Sequence, residues 1–248
     1  TGTSFTNTGL TNGTTYYYKV TAVNAVGQSP QSGEASATPQ AASAAGFVAR
    51  VGSATASSAK TTISVPVTAV PAGNTLVVSL LLSSTKQLTT AVTITDTAGN
   101  SYAVGRDTND GSGGDRTVVL VSVGVKALAA GGSITLTYPS SGETHVSVDE
   151  FAGVTGIDTS AGATGTASAY SSGTATTTQA KEILIGVVGI ESGKAPTWAA
   201  GWTALPVLSV SSDFLDTAYQ ITTAAGAYSA AGTTSGQWMA AIVALKTS

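Results

Sequence analysis

Apolar and polar residues alternate with a period of two through most of the chain, in short runs. Thr117 to Val125 sets Val119, Val121, Val123 and Val125 on one face, and Ile134, Leu136 and Tyr138 repeat the spacing. That period belongs to strands with one packed face. Runs at 46–54, 61–70, 75–83, 91–96, 101–106, 117–126, 132–138, 143–152, 174–179, 182–191, 214–223 and 237–246 predict strands. Gly, Pro and Asn clusters punctuate them, as in Pro71-Ala72-Gly73-Asn74 and Ala98-Gly99-Asn100. Helical periodicity is nearly absent. The pattern predicts an all-β, two-sheet antiparallel sandwich, jelly-roll-like because the strands outnumber the seven of an immunoglobulin-type domain.

The first 39 residues carry a pattern of their own. Asn12-Gly13 is a strong turn signal before the aromatic, β-branched run Tyr16 to Val23. Leu10-Thr11-Asn12-Gly13-Thr14-Thr15-Tyr16, then Val20-Thr21-Ala22-Val23-Asn24, Gly27-Gln28-Ser29 and Ser36-Ala37-Thr38-Pro39, resembles the second half of a fibronectin type III domain. The resemblance implies that Tyr16 is a tyrosine-corner residue, its hydroxyl turned back to backbone a few residues upstream. Such a domain has about 100 residues, so the segment reads as the C-terminal part of one and the chain as part of a longer protein. Residues 40–46 read as a linker, and 47–248 as the main sandwich domain.

Within the main domain, Ile94 to Tyr102, Val148 to Val154 and Gly226-Ala227-Tyr228 leading to Trp238 and Ala244-Leu245-Lys246 form a second pattern. It is similar to jelly-roll-like accessory domains of bacterial secreted or surface proteins, often found beside fibronectin type III repeats. That resemblance implies an extracellular, secreted or cell-surface setting, a virion included.

Composition narrows the chemistry. Only 9% of the 248 residues are charged, and the net charge is −3, so there is no clustered basic face for nucleic acid. No Cys and a single His remove disulfides, thiolate chemistry and multi-His metal sites. No apolar run approaches the roughly 20 residues of a membrane helix.

Few residues remain as candidates. His145 reads as a surface or interface residue, since no nucleophile motif accompanies it. Asp149 and Glu150 are adjacent on one strand and point to opposite faces. A glycosidase pair would need Glu150 placed near Glu182, Asp96 or Asp149, which the sequence does not show. Asp107, Asn109, Asp110 and Asp115 form the densest oxygen-ligand cluster, a candidate Ca²⁺ loop that lacks an EF-hand's bidentate Glu. Its plainer reading is a wet hairpin loop.

Aromatic residues supply the main lead. Trp198 and Trp202 lie in a Gly/Ala-rich stretch that reads as a loop, and Tyr170 and Tyr228 occur in similar polar settings. Exposed Trp and Tyr can stack on sugar rings while keeping a polar edge wet. Trp238, beside Met239, reads as core. The expected function is a non-catalytic extracellular module that binds polysaccharide through Trp198, Trp202, Tyr170 and Tyr228. The alternative is an assembly module whose partners are other copies of itself in a fibre, surface layer or phage particle. A glycoside-active enzyme stands third.

Overall fold

The computed structural model describes residues 2–39, 44–85, 89–111 and 114–248. The chain divides into two compact units, 1–43 and 44–248.

The N-terminal unit has four short strands. β1 (Tyr16–Tyr18) pairs antiparallel with β4 (Ala35–Ala37), and β2 (Val23–Asn24) with β3 (Gly27–Gln28). The Tyr16 hydroxyl accepts a hydrogen bond from the Thr11 backbone N–H at 2.9 Å, closing the turn ahead of β1. Asn24 Oδ1 accepts from the N–H groups of Val26 and Gly27, so its side chain caps the β2–β3 turn. Phe5, Val20, Val23 and Val26 remain exposed.

The second unit is an all-β antiparallel sandwich, with no helix among the described residues. Its first eight strands are β5 (Gly46–Ala56), β6 (Lys60–Pro66), β7 (Thr75–Ser83), β8 (Thr93–Asp96), β9 (Ala103–Asn109), β10 (Arg116–Ser122), β11 (Ser133–Ser141) and β12 (Glu143–Ala152). They form two sheets, ordered β5-β12-β7-β10-β9 and β6-β11-β8. The first strand thus pairs with the eighth and the second with the seventh, wrapping the segment around itself.

The remaining strands are β13 (Val154–Gly165), β14 (Ala169–Ser171), β15 (Ala175–Thr176), β16 (Glu182–Trp198), β17 (Thr203–Ala204), β18 (Leu208–Val210), β19 (Asp213–Ile221), β20 (Ala227–Tyr228) and β21 (Ala231–Thr247). A third sheet runs β13-β21-β16-β19-β17, with β14 on β21 and β18 on β19; β15 pairs with β20.

Side-chain alternation sets the layers. Along β7, Leu76, Val78, Leu80 and Leu82 face a core shared with Ile63, Val65, Ile134 and Leu136 of the β6-β11-β8 sheet. Val77 and Leu81 point the other way, into a core with Ile183, Ile185, Val187, Met239, Ala241 and Val243. All nine residues of β7 are buried, as expected of a strand covered on both faces. The sandwich is therefore deeper than two sheets: the β7 sheet lies between the other two.

Some runs shift from their predicted course. Val119 and Val121 share a face, but Val123 is 38% exposed and Val125 lies in the opposite core. The strand ends at Ser122, and Gly124 at φ +64° turns the chain and breaks the alternation. β11 continues through Pro139 because its pairing with β6 shifts between Thr137 and Ser141. Gly46, placed in the linker, opens β5, while 40–43 lie outside the described residues. β13 carries no clear apolar period: the groups it adds to the outer face of its sheet include the small Ala161 and Ala163.

Candidate aromatic binding face

β16 and β21 are buried on both faces over most of their length. Ile183, Ile185 and Val187 point inward, while Leu184, Val188 and Ile190 point outward. On β21 the outward residues are Trp238, Ala240, Ile242 and Ala244. This outer apolar face is covered by β14, β15, β20 and the turn after β16.

That turn places the tryptophans. The pairing of β16 with β21 shifts twice between Glu191 and Thr197, then resumes with Trp198 opposite Gly232. Ala199 N–H donates to Ala231 C=O at 2.9 Å, and Gly201 takes φ +94°, folding the chain back. Trp198 and Trp202 then both land on Gly186 of β16. A Cβ there would sit 2.7 Å from Trp198 Cζ3 and 2.8 Å from Trp202 Cζ3, so no larger residue fits beneath them. The indole centroids lie 5.4 Å apart with planes tilted by 36°. Tyr170 meets Trp198 edge-on at 5.7 Å, and its hydroxyl donates to Thr197 C=O at 3.2 Å.

Trp198, Trp202 and Tyr228 are each partly exposed and pack on one cluster formed by Ala175, Leu184, Ala230, Ile242 and Ala244. The Tyr228 hydroxyl donates to Ala224 C=O at 2.7 Å, fixing the ring. Tyr170 is different: at 2% exposure it offers no surface to a ligand and serves as the wall behind Trp198. Its polar sequence neighbours concealed this, because Ala169 and Ser171 on either side of it are the exposed positions of β14. Trp238 is core, its Nε1 donating to Ala167 C=O at 2.9 Å.

Two further residues belong here that sequence reasoning missed. Gln220 of β19 lies beside Gly201, and Asp216 is 5% exposed next to Trp198. Burial pushes the Asp216 carboxyl up to about 6, against the pull of Trp198, the Thr217 backbone and Arg50. Their signal was present in the alternation of 214–223, which puts Phe214, Asp216, Ala218 and Gln220 on one face.

The other candidates are engaged by protein partners. Asp107 is held by Arg116, whose Nε donates to Oδ1 at 2.8 Å, so its carboxylate is already neutralised. Asp110 accepts from Gln237 at 2.7 Å and from Gly114 N–H. Asn109 accepts from Gly111 N–H. Asp115 is fully buried and accepts from Ser84 N–H at 3.0 Å. Each calcium-loop candidate thus has a protein partner, and among the described residues no three acidic or imidazole side chains converge as a cation site.

His145 is fully buried on β12 between β5 and β7, which corrects its expected surface position. Burial lowers its pKa, partly opposed by Asp213. The four carboxylates considered for glycoside chemistry are held separately. Asp149 pairs with Arg50, and Glu150 accepts from Asn74 at 2.6 Å. Glu182 accepts from Gln179 N–H at 3.0 Å, and Asp96 accepts from Tyr102, Asn100 and Ala98.

Comparison with models of known families, with curated proteins and with solved structures gives no match to this chain.

Proposed function

We propose that the second unit is a non-catalytic binding module of an extracellular protein, and that it takes polysaccharide on the outer face of its third sheet. The observation that supports this reading is the convergence of Trp198, Trp202 and Tyr228, each partly exposed, on one uncharged apolar cluster. Sugar rings present flat C–H faces that suit such rings, while Gln220 and the indole N–H of Trp202 can reach hydroxyls at the rim. The low charge of the chain suits a neutral ligand.

The test is retention on a panel of insoluble polysaccharides such as cellulose, chitin, xylan and starch. Retention on one of them, lost in Trp202→Ala and Tyr228→Ala with folding intact, supports the reading. A chain retained by none of them counts against it.

A second reading is favoured by one observation. Phe5, Val20, Val23 and Val26 are 86%, 69%, 63% and 96% exposed in the small N-terminal unit, apolar side chains that a second copy of the chain would cover. An assembly role predicts discrete oligomers or filaments of the full chain in a sizing experiment.

A further inference from the structure

The outer face holds two buried polar atoms that no well-formed hydrogen bond satisfies, Oδ1 of Asp216 and Nε1 of Trp198. A buried carboxylate and a buried N–H left apart are each costly. Here they are complementary, since an indole N–H only donates and a carboxylate only accepts. They belong to one neighbourhood. Asp216 leaves β19 on the same side as Phe214, which packs with Trp198 in one cluster. Trp198 also favours the charged form of that carboxyl.

We propose that Asp216 is the positioning residue of the aromatic face, its carboxylate holding the indole of Trp198 through Nε1–H. The inference rests on Trp198 belonging to the ligand face. The other groups around the indole only pack against it: Gly186 gives it a floor without a side chain, and Tyr170, Trp202 and Phe214 lie beside it. A charge-assisted hydrogen bond is stronger and more directional than these packing contacts.

Two titratable groups on other strands interact with the Asp216 charge. Arg50 of β5 lies on the far side of the sheet and is itself bonded to Asp149 of β12, while Tyr170 of β14 feels the negative charge of Asp216. Burial outweighs the help from Trp198, the Thr217 backbone and Arg50, so Asp216 loses its charge in mildly acidic solution. The hold on Trp198 is therefore present above about pH 6 and released below it.

The experiment follows the three indole N–H resonances of the isotope-labelled full chain from about pH 4.5 to about pH 8, a span covering ordinary and raised carboxyl values. The Trp198 resonance is identified as the one missing in Trp198→Phe. It is expected to titrate with a midpoint near 6, to be flat in Asp216→Asn and to titrate again in Asp216→Glu. A flat Trp198 resonance in the unaltered protein overturns the proposal, even if Asp216→Asn does not fold. So does a titration that survives in Asp216→Asn. Polysaccharide retention is measured on the same samples. A titrating indole with no retention at any pH removes the ligand reading and leaves the positioning role standing.

Discussion

Arg50 and Asp149 lie opposite each other on paired strands, with Nε donating to Oδ1 at 2.8 Å and Nη2 to Oδ2 at 3.1 Å. Nη2 also donates to Thr217 Oγ1 at 2.6 Å, and Nη1 donates to Pro206 C=O. The guanidinium thus ties the middle sheet to β19 and to the loop before β18. Burial raises the Asp149 pKa while Arg50 lowers it, so the carboxylate depends on its partner to stay ionised. Removing one member strands the other. Arg50→Ala is expected to lower unfolding stability by about 3–5 kcal/mol, the range for breaking a buried ion pair. Chemical denaturation reads this directly, and a loss below about 1 kcal/mol would place the pair with exposed ones.

A second prediction concerns Gly186. Adding one methyl there drives Cβ into both indoles. Gly186→Ala is expected to cost about 1–3 kcal/mol, as for other overpacked sites, and to shift tryptophan emission. Ala241→Gly, on the inner face of β21 in a core that holds no tryptophan, is expected to destabilise without that emission change. Unchanged emission in Gly186→Ala would mean that the rings do not rest on this strand.

A third prediction follows from Asp115. Burial raises its pKa to about 8, with Glu191 and Asp110 adding repulsion. The folded state then keeps a proton that the unfolded chain has lost, across the window from the ordinary carboxyl value of 3.8 to about 8. The stability this proton contributes is fully present below that window and is lost as pH rises through it. Thermal unfolding of the unaltered chain should fall more steeply from about pH 5 to about pH 8.5 than that of Glu191→Gln, in which the repelling charge is gone. Parallel profiles for the two proteins would contradict the assignment.

Much of the fold is legible in the sequence because one face of most strands is apolar and the next residue is not. β7 and β16 show where that logic stops. Their continuous apolar runs announce burial, but no period says that two different cores lie on their two sides. β13 is invisible for the opposite reason: its small residues pack through backbone pairing with β21 rather than through bulk. The site divides similarly. Trp198, Trp202 and Tyr228 stand out by residue type, but their meeting depends on the Gly201 turn and on β15–β20 pairing far along the chain. Tyr170 looked exposed because its neighbours are. Asp107 looked free because Arg116, nine positions away, comes beside it only when β9 and β10 pair.

The central claim is that the paired indoles form a ligand face. It is tested most directly by depletion isotherms of the unaltered chain and of Trp202→Ala on whichever polysaccharide retains the protein. Trp202 contributes a partly exposed ring and no buried hydrogen bond, so its removal is expected to leave the chain folded. The account predicts saturable binding that weakens at least about tenfold in Trp202→Ala, a loss of about 1.4 kcal/mol, with the same unfolding midpoint to within a few degrees. Equal isotherms for the two folded proteins would contradict it.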